Sequence, residues 1–241
     1  MTSQPSLRAL ITGASSGIGK ATAIAFANAG IHVALVSRSP DKLEAVAEVA
    51  RQHGVRASAY PLDLTNIAEV REGIAGIEQE FGPIDILVNN AGMGYTGNLA
   101  DVSLSDWQHV MDLNLTSVLQ CIQGILPGMR ARQGGTIINI VSVAGRQVFP
   151  NWGVYCVSKF GLMALSKTLA MEERPYGIRV SALCPGSVNT SIWDTETVKA
   201  DFDRGAMLTP EMVAQSILHT VQLPPGAVID ELTLMPAMGT F

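Results

Sequence analysis

A tyrosine and a lysine one helical turn apart are the residues of this chain best suited to proton transfer. Tyr155 and Lys159 stand at positions i and i+4, and Ser142 precedes them. A phenol has a pKa of about 10, and an ammonium on the same helix face stabilises the phenolate and so lowers that pKa. Lowering it to about 7 takes roughly 4 kcal/mol. One partly exposed lysine rarely supplies so much, so we expect a second positive charge nearby.

A glycine-rich turn near the N-terminus predicts a binding site for a cofactor that could carry this second positive charge. Its glycines follow the spacing Gly13-x-x-x-Gly17-x-Gly19, between an apolar run and a helical pattern. Such a turn allows close backbone approach and directs a helix N-terminus at phosphate. The alternative is an ordinary strand-to-helix turn. We predict a dinucleotide cofactor, whose nicotinamide ring is cationic when oxidised, bound at Gly13, Ser15, Ser16, Gly17, Ile18 and Gly19.

The residues after the second predicted strand favour NADP(H) over NAD(H). NAD-binding folds carry a carboxylate there, whereas this chain has Ser37 and Arg38, and its first acid, Asp41, comes later. A guanidinium can pair with the 2′-phosphate of NADP through two hydrogen bonds. Asp63, which ends the third predicted strand, is expected either to reach the adenine amino group or to cap the following helix.

Composition limits the classes of partner. The chain has 241 residues, 47% of them hydrophobic, so we expect a single domain over residues 1–241. A net charge of −5 with scattered basic residues argues against nucleic acid and anionic membranes. The sequence has no apolar run of signal-peptide or membrane-spanning length, which predicts a soluble cytoplasmic protein. Neither the histidines nor the cysteines have metal-ligand spacing, so we expect no metal and three reduced thiols, Cys121, Cys156 and Cys184.

Hydrophobic periodicity predicts an α/β protein. Short Val- and Ile-rich runs alternate with helical patterns, which is typical of a doubly wound parallel sheet of about seven strands with helices on both faces. The predicted strands are Arg8–Thr12, His32–Ser37, Arg56–Pro61, Ile84–Asn89, Thr136–Val141, Ile178–Cys184 and Val228–Leu234. The predicted helices are Gly17–Ala29, Pro40–His53, Asn66–Phe81, Ser105–Arg132, Val154–Arg174 and Pro210–Thr220. Left-handed helix caps are expected at Gly30, Gly54, Gly82 and Gly134.

Taken together, these motifs resemble the short-chain dehydrogenase/reductase family over essentially the whole chain. Thr12 to Gly19 matches the family's cofactor turn, and Asn89-Asn90-Ala91-Gly92 matches the element beside the adenine ribose. The stretch that holds the nicotinamide is matched by Pro185-Gly186 with Thr190. The catalytic tetrad is matched in order and spacing by Asn114, Ser142, Tyr155 and Lys159.

The resemblance implies a Rossmann-type fold and a role for each matched residue. Asn90, with Ala91 and Gly92, would contact the cofactor, and Val188 and Thr190 would orient its carboxamide. Lys159 would hydrogen-bond the nicotinamide ribose, and the backbone of Asn114 would bind a water that feeds protons to Lys159. Ser142 and Tyr155 would bind the substrate carbonyl, with Tyr155 as the proton donor.

Several substrate classes stay open. The lid expected at residues 187–209 contains Ile192, Trp193, Phe202 and Met207 and suits a modest, partly apolar ketone. Phe149, Trp152, Trp193, Met93 and Tyr95 either line the substrate pocket or are ordinary packing. The chain is similar to 3-oxoacyl thioester reductases, and also to NADP-dependent 3-hydroxy acid dehydrogenases. A general carbonyl reductase and a catalytically silent NADP(H)-binding sensor are the alternatives.

Two kinds of protein partner are also considered. An acyl carrier protein is acidic, so a basic rim near the site entrance could dock it. That rim would consist of Arg130, Arg132, Arg146 and Arg174, which could equally be ordinary helix-end charges. The family resemblance also implies a homotetramer, built by pairing the two long helices, Ser105–Arg132 and Val154–Arg174, with their mates and by contacts of the last strand.

Overall fold

The computed structural model describes residues 6–200 and 203–238. Its centre is a parallel sheet of seven strands in the order β3-β2-β1-β4-β5-β6-β7. The strands are β1 (Arg8–Thr12), β2 (His32–Ser37), β3 (Ala57–Pro61), β4 (Ile86–Asn89), β5 (Gly135–Ile140), β6 (Ile178–Pro185) and β7 (Glu231–Leu234). The helices are α1 (Gly17–Asn28), α2 (Pro40–Arg51), α3 (Ile67–Phe81), α4 (Leu104–Met111), α5 (Ser117–Arg132), α6 (Gly153–Glu173) and α7 (Pro210–Gln222).

Helices cover both faces of the sheet because its central strands are apolar on both sides. Ala9 and Ile11 of β1 belong to one buried cluster, which also contains residues of α1, α2 and α7. Leu10, between them, belongs to a second cluster with residues of α3, α5 and α6. Successive strand residues point to opposite faces, so the continuous apolar run needs a layer of helices on each side. The predicted doubly wound architecture is therefore confirmed.

The ends of several elements differ from the predictions. The fourth strand starts at Ile86 and the seventh at Glu231, both later than expected. The long helix predicted after Ser105 is interrupted by a π-helical turn at Asp112–Thr116, which separates α4 from α5. Hydrophobic periodicity could not show this turn, because it arises from tertiary hydrogen bonds made by Asn114.

Two of the four predicted left-handed caps are present, at Gly30 and Gly54, whereas Gly82 combines a positive φ with ψ 176° and lies outside the left-handed helical region. Gly30, Gly54 and Gly82 have φ values of 78°, 78° and 98°. The prediction for Gly134 is wrong, since Gln133 takes the left-handed position after α5 with φ 54°. The Gln133 side chain donates a hydrogen bond of 2.8 Å to the carbonyl oxygen of Arg130. The same carbonyl also accepts from the Gln133 backbone N–H at 3.1 Å, so two local bonds hold Gln133 at the end of the helix.

Over residues 6–200 and 203–238, the structure has no helix long and apolar enough to cross a lipid bilayer.

Candidate active site

A cavity of about 730 Å³ opens at the carboxyl ends of the parallel strands. The strand order reverses between β1 and β4, and ligands of open α/β sheets bind at such a switch point. The loops after β1, β2, β3, β4, β5 and β6 all contribute to its lining. The residues predicted for the cofactor and the substrate thus meet in one cleft.

The glycine-rich turn has the geometry that a phosphate cradle needs. Gly13 and Gly17 have φ values of 65° and 52°, in the left-handed region that favours glycine. A Cβ on Gly19 would lie against the Gly13 carbonyl oxygen and 2.6 Å from the Asn90 side-chain nitrogen. Gly13, Ser15, Ser16, Gly17 and Ile18 line the cavity, whereas Gly19 lies beneath the turn, where α1 packs against it.

The N-terminus of α1 is suited to an anion. Ser16 occupies the position before the helix and makes no side-chain capping bond, and the first turn carries no acidic residue. The first N–H groups of a helix lack intrahelical acceptors and attract negative charge. Together with the glycine turn, this end of α1 fits the pyrophosphate of a dinucleotide cofactor.

Asn90 holds the glycine turn to the loop after β4. Its side-chain amide donates to the carbonyl oxygens of Thr12 and Gly13, at 3.0 and 3.3 Å. The Thr12 hydroxyl accepts from the backbone N–H groups of Asn90 and Ala91, each at 3.0 Å. Asn90, Ala91 and Gly92 also line the cavity. These bonds fix the loop that was predicted to contact the cofactor.

Ser37, Arg38 and Asp63 lie at the end of the cleft formed by the loops after β2 and β3. All three line the cavity. Asp63 accepts hydrogen bonds from the backbone N–H and hydroxyl of Thr65, at 3.0 and 2.8 Å, and the backbone bond is the main cause of its lowered pKa. Asn66, not Asp63, precedes the first residue of α3. The capping alternative for Asp63 is therefore wrong, and its carboxylate shapes the preceding turn.

The segment after β6 is held by an arginine that the sequence analysis missed. Pro185, Gly186, Val188 and Thr190 line the cavity as predicted. Arg204 donates to the Asn189 side chain at 2.8 Å and to the Thr190 carbonyl oxygen at 2.9 Å. It also pairs with Asp194 at 2.9 Å. No sequence motif signals this role, because the arginine lies far along the irregular loop from the residues it binds.

Ser142, Tyr155 and Lys159 all line the cavity beside the end of β5. Ser142 has φ 146°, a conformation that non-glycine residues rarely adopt, and its hydroxyl accepts from the Ala144 N–H at 3.1 Å. The Lys159 ammonium donates to the Ile140 carbonyl oxygen at 3.0 Å and lies 5.7 Å from the centroid of the Tyr155 ring. The loop after β5 and the first two turns of α6 thus bring these three side chains together.

Lys159 alone does not lower the pKa of Tyr155 to the predicted range. Lys159 is only 5% exposed, not partly exposed as expected, and burial lowers its pKa to about 8. Burial also raises the pKa of Tyr155 to about 12, although a hydrogen bond with Ser142 opposes this. For the protein groups by themselves, burial therefore outweighs any lowering of the Tyr155 pKa by Lys159, and the predicted net lowering is not observed. Desolvation disfavours both charged forms, which strengthens the need for a further positive charge.

Asn114 lies on the π-helical turn and is completely buried. Its side-chain oxygen accepts from the Met93 N–H at 2.8 Å, and its nitrogen donates to the Met93 carbonyl and the Ser158 hydroxyl at 2.9 and 3.0 Å. Ser158 donates in turn to the Tyr155 carbonyl at 2.7 Å. Asn114 therefore ties the loop after β4 to α6. Ser158 was missed, although its position three residues after Tyr155 places it on the same helix face.

Most of the residues predicted for the substrate pocket line the same cavity, at the end away from Arg38 and Asp63. Met93, Phe149, Trp152, Ile192 and Trp193 line it. Tyr95 does not, and its hydroxyl donates to Asp106 at 3.2 Å, so of the two alternatives for this residue pocket lining is excluded. Met207 is buried outside the cavity lining, and Phe202 lies outside the described residues.

The predicted basic rim does not surround the cavity. None of Arg130, Arg132, Arg146 and Arg174 is among the described residues that line it. Arg130 pairs with Glu173 through two hydrogen bonds, and Arg132 and Arg146 pair with Glu78 and Glu231. These pairs place the arginine charges on helix and strand surfaces, where they have structural partners.

Comparison with known proteins identifies the family. The short chain dehydrogenase family model matches residues 8–200. Sepiapterin reductase of Chlorobaculum tepidum is 34% identical over 238 residues, covering 95% of this chain and 96% of that protein. Glycine betaine reductase ATRR of Emericella nidulans is 37% identical over 234 residues and covers 95% of this chain, which corresponds to only 18% of that longer protein.

A solved structure agrees with both the fold and the cofactor class. The alcohol dehydrogenase of the archaeon Thermococcus sibiricus, complexed with 5-hydroxy-NADP, superimposes with a TM-score of 0.88. It is 30% identical, and the match covers 96% of this chain and 97% of that one. The chain therefore belongs to the short-chain dehydrogenase/reductase family and is an oxidoreductase that acts on CH–OH or C=O groups with NAD(P).

Proposed function

We propose that this protein reduces a ketone to a secondary alcohol with NADPH, and that Tyr155 donates the proton. The observation that carries the proposal is the meeting of Ser142, Tyr155 and Lys159 in the cavity that the glycine turn also lines. When bound, the nicotinamide cofactor supplies the hydride to the carbonyl carbon and, once oxidised, a positive ring charge.

The protein's own groups act on the carbonyl oxygen. The Ser142 hydroxyl and the Tyr155 phenol would donate hydrogen bonds to that oxygen, and the phenol would transfer its proton as the C–O bond becomes an alkoxide. The buried Lys159 ammonium, held by the Ile140 carbonyl, would stabilise the resulting phenolate. Alcohol oxidation follows the same steps in reverse.

Arg38 is the residue proposed to select NADPH. It follows β2 and lines the cavity, at the position where NAD-binding folds carry an acid. The loss of a charge-assisted hydrogen bond costs about 1.5–3 kcal/mol. We therefore expect Arg38→Ala to weaken NADPH binding by about ten- to a hundredfold while leaving NADH binding nearly unchanged.

Fluorescence titration with both cofactors measures this difference. Lys42→Ala is a matched control, because Lys42 is an exposed cation on the neighbouring α2 and does not line the cavity. Equal weakening of NADPH and NADH in Arg38→Ala would remove this arginine from 2′-phosphate recognition.

A 3-oxoacyl thioester is the first substrate class that we propose. It presents a ketone with an uncharged carbonyl neighbour, which suits the partly apolar lining formed by Met93, Phe149 and Ile192. The test is NADPH consumption with a short 3-oxoacyl thioester, a 3-oxo acid and a plain diketone. Turnover of the diketone alone would favour a general carbonyl reductase, and preference for the acid would favour a 3-hydroxy acid dehydrogenase. NADPH binding without any turnover would favour the sensor.

Delivery of that thioester by an acyl carrier protein has weaker support. Arg130, Arg132 and Arg146 already pair with carboxylates, and the described cavity lining includes none of the four candidate arginines. Comparing the same acyl group on a free thiol carrier and on an acyl carrier protein tests docking. A much lower KM for the protein-bound form would support the carrier as a partner.

We also propose that the protein assembles as a homotetramer through α5 and α6. Val157 and Phe160 on α6 are 42% and 41% exposed, which is unusual for large apolar side chains on a monomer's surface. Pairing of α6 with its mate would cover them. Light scattering of the purified protein gives the molar mass directly, and a monomeric mass would contradict the proposal.

A further inference from the structure

Two tryptophans meet at the substrate end of the cavity. Trp152 immediately precedes α6, and its ring centroid lies 5.5 Å from that of Tyr155 and 5.8 Å from that of Trp193. Both contacts are edge-to-face, and both indoles line the cavity while remaining partly exposed. An apolar aromatic surface therefore lies directly beside the proposed proton donor.

The Trp193 indole and the backbone that carries Trp152 are both held by hydrogen bonds or bridges to neighbouring segments. The Trp193 N–H donates to the Val188 carbonyl oxygen at 2.8 Å, and Arg204 bonds the same loop segment through the Thr190 carbonyl at 2.9 Å. Trp152 forms a β-bridge with Gly97, whose N–H donates to the Asn151 carbonyl at 2.7 Å. Fixed aromatic rings bind a planar group without a large further cost in side-chain entropy.

The charged groups of the cavity are placed elsewhere. In the described parts of the chain, the ionisable lysine, arginine, histidine and acidic side chains that line it are Arg38, Asp63, His109 and Lys159. Arg38 follows β2, three strand spacings or about 14 Å from the end of β5, where Ser142 lies. Asp63 follows β3, at the same end of the sheet as Arg38, and His109 lies on α4 rather than on the segments that carry the two tryptophans. The Lys159 ammonium already donates to the Ile140 carbonyl.

Because the Lys159 ammonium is buried and already donates to the Ile140 carbonyl, a substrate carboxylate would find no exposed lysine or arginine beside the two tryptophans among the described lining residues, and burying it unpaired is costly. We propose that Trp152 and Trp193 form a subsite for a planar, apolar group attached to the ketone carbon of an uncharged substrate. This inference rests on the proposed ketone reduction and narrows its substrate class to neutral ketones, with aryl ketones preferred over methyl ketones.

The test uses two 3-oxo esters that differ only at the ketone. Ethyl benzoylacetate carries a phenyl group where ethyl acetoacetate carries a methyl group, and free acetoacetate replaces the ester by a carboxylate. We expect kcat/KM to favour the phenyl ester by on the order of tenfold, and the free acid to be the poorest substrate. Trp193→Leu should bring the phenyl-to-methyl ratio close to one, and Trp193→Phe should keep most of it.

Controls distinguish the loss of this subsite from misfolding or a general loss of activity. Trp107→Leu replaces a tryptophan on α4 that does not line the cavity, and it should leave the ratio unchanged. NADPH titration reports whether each variant is folded. A ratio near one in the unaltered protein, or an undiminished ratio in Trp193→Leu, would overturn the proposal, as would efficient reduction of the free acid.

Failure of the proposed ketone reduction would give a different result from failure of the tryptophan subsite. In that case no ketone would be reduced, although NADPH would still bind. The two esters can also be titrated calorimetrically against the protein saturated with NADP⁺, where no hydride is available. Tighter binding of the phenyl ester, lost in Trp193→Leu, would support the subsite independently of turnover, and equal binding of the two esters would overturn it.

Discussion

Replacing Tyr155 by phenylalanine should lower the rate of ketone reduction by about a thousandfold while NADPH binding changes little. General acid catalysis by a positioned side chain contributes about 10² to 10⁴ in rate, and the hydroxyl is the only group that this substitution removes. Stopped-flow measurement of NADPH consumption at saturating ketone gives the rate, and fluorescence titration gives the cofactor affinity. The split between a large change in rate and a small change in affinity distinguishes a proton donor from a residue that only supports the fold.

Tyr95→Phe is the matched control for this change. Its hydroxyl bonds Asp106 on the surface and does not line the cavity, so the same atom is removed nearby without touching the reaction. The control should retain most of its activity. If Tyr155→Phe also remained as active as Tyr95→Phe, the proposed acid would have to be another group.

Gly19→Ala should abolish detectable cofactor binding. The new Cβ would press on the Gly13 carbonyl oxygen and lie 2.6 Å from the Asn90 side-chain nitrogen, so either the phosphate turn or the loop after β4 must move. A displacement of that size removes the close backbone approach on which the pyrophosphate depends. We expect a loss in NADPH affinity of at least about a hundredfold, together with a lower Tm.

Gly76→Ala is the matched control, because it makes the same glycine-to-alanine substitution inside a helix away from the turn. Gly76 lies inside α3, and a Cβ there would meet no atom within 4 Å. Alanine in a helix interior is more favourable than glycine by about 0.5–1 kcal/mol, so this variant should bind NADPH normally and unfold at a slightly higher temperature. Normal NADPH binding by Gly19→Ala would contradict the assigned role of the turn.

The sequence could predict the sheet because each of its strands is a short apolar run between helical patterns. Buried strands such as β1 and β2 have the predicted boundaries, since both faces demand apolar residues. The seventh strand lies at the sheet edge and is only partly buried, so its pattern is weak and its predicted start was too early. The cap at Gln133 was missed for a related reason: a local side-chain bond replaced the glycine signal.

The site was predictable to the extent that its residues follow local patterns. The residues of the glycine turn and those at positions 142, 155 and 159 were singled out because their spacing indicates chemistry, and the structure brings them to one cavity, which Gly19 alone among these predicted residues does not line. The hydrogen bonds of Arg204 form within an irregular loop that has no periodic pattern, and the partner of Ser158, Asn114, lies 44 residues away in sequence, so neither role follows from a local motif. The acidity of Tyr155 was mispredicted because sequence shows the neighbouring lysine but not the burial that opposes ionisation.

The order of strands in the sheet has a consequence for folding. Arg8 of β1 pairs with His32 of β2, a neighbour in sequence, whereas Ala9 pairs with Ile86 of β4 on its other side. Closing the longer loop costs more chain entropy, and pairings between distant segments form slowly. During synthesis, β1 to β3 can associate before β4 leaves the ribosome. The junction between β1 and β4, over which the cofactor cleft opens, is therefore completed late, and a chain stopped before β4 would lack the cleft altogether.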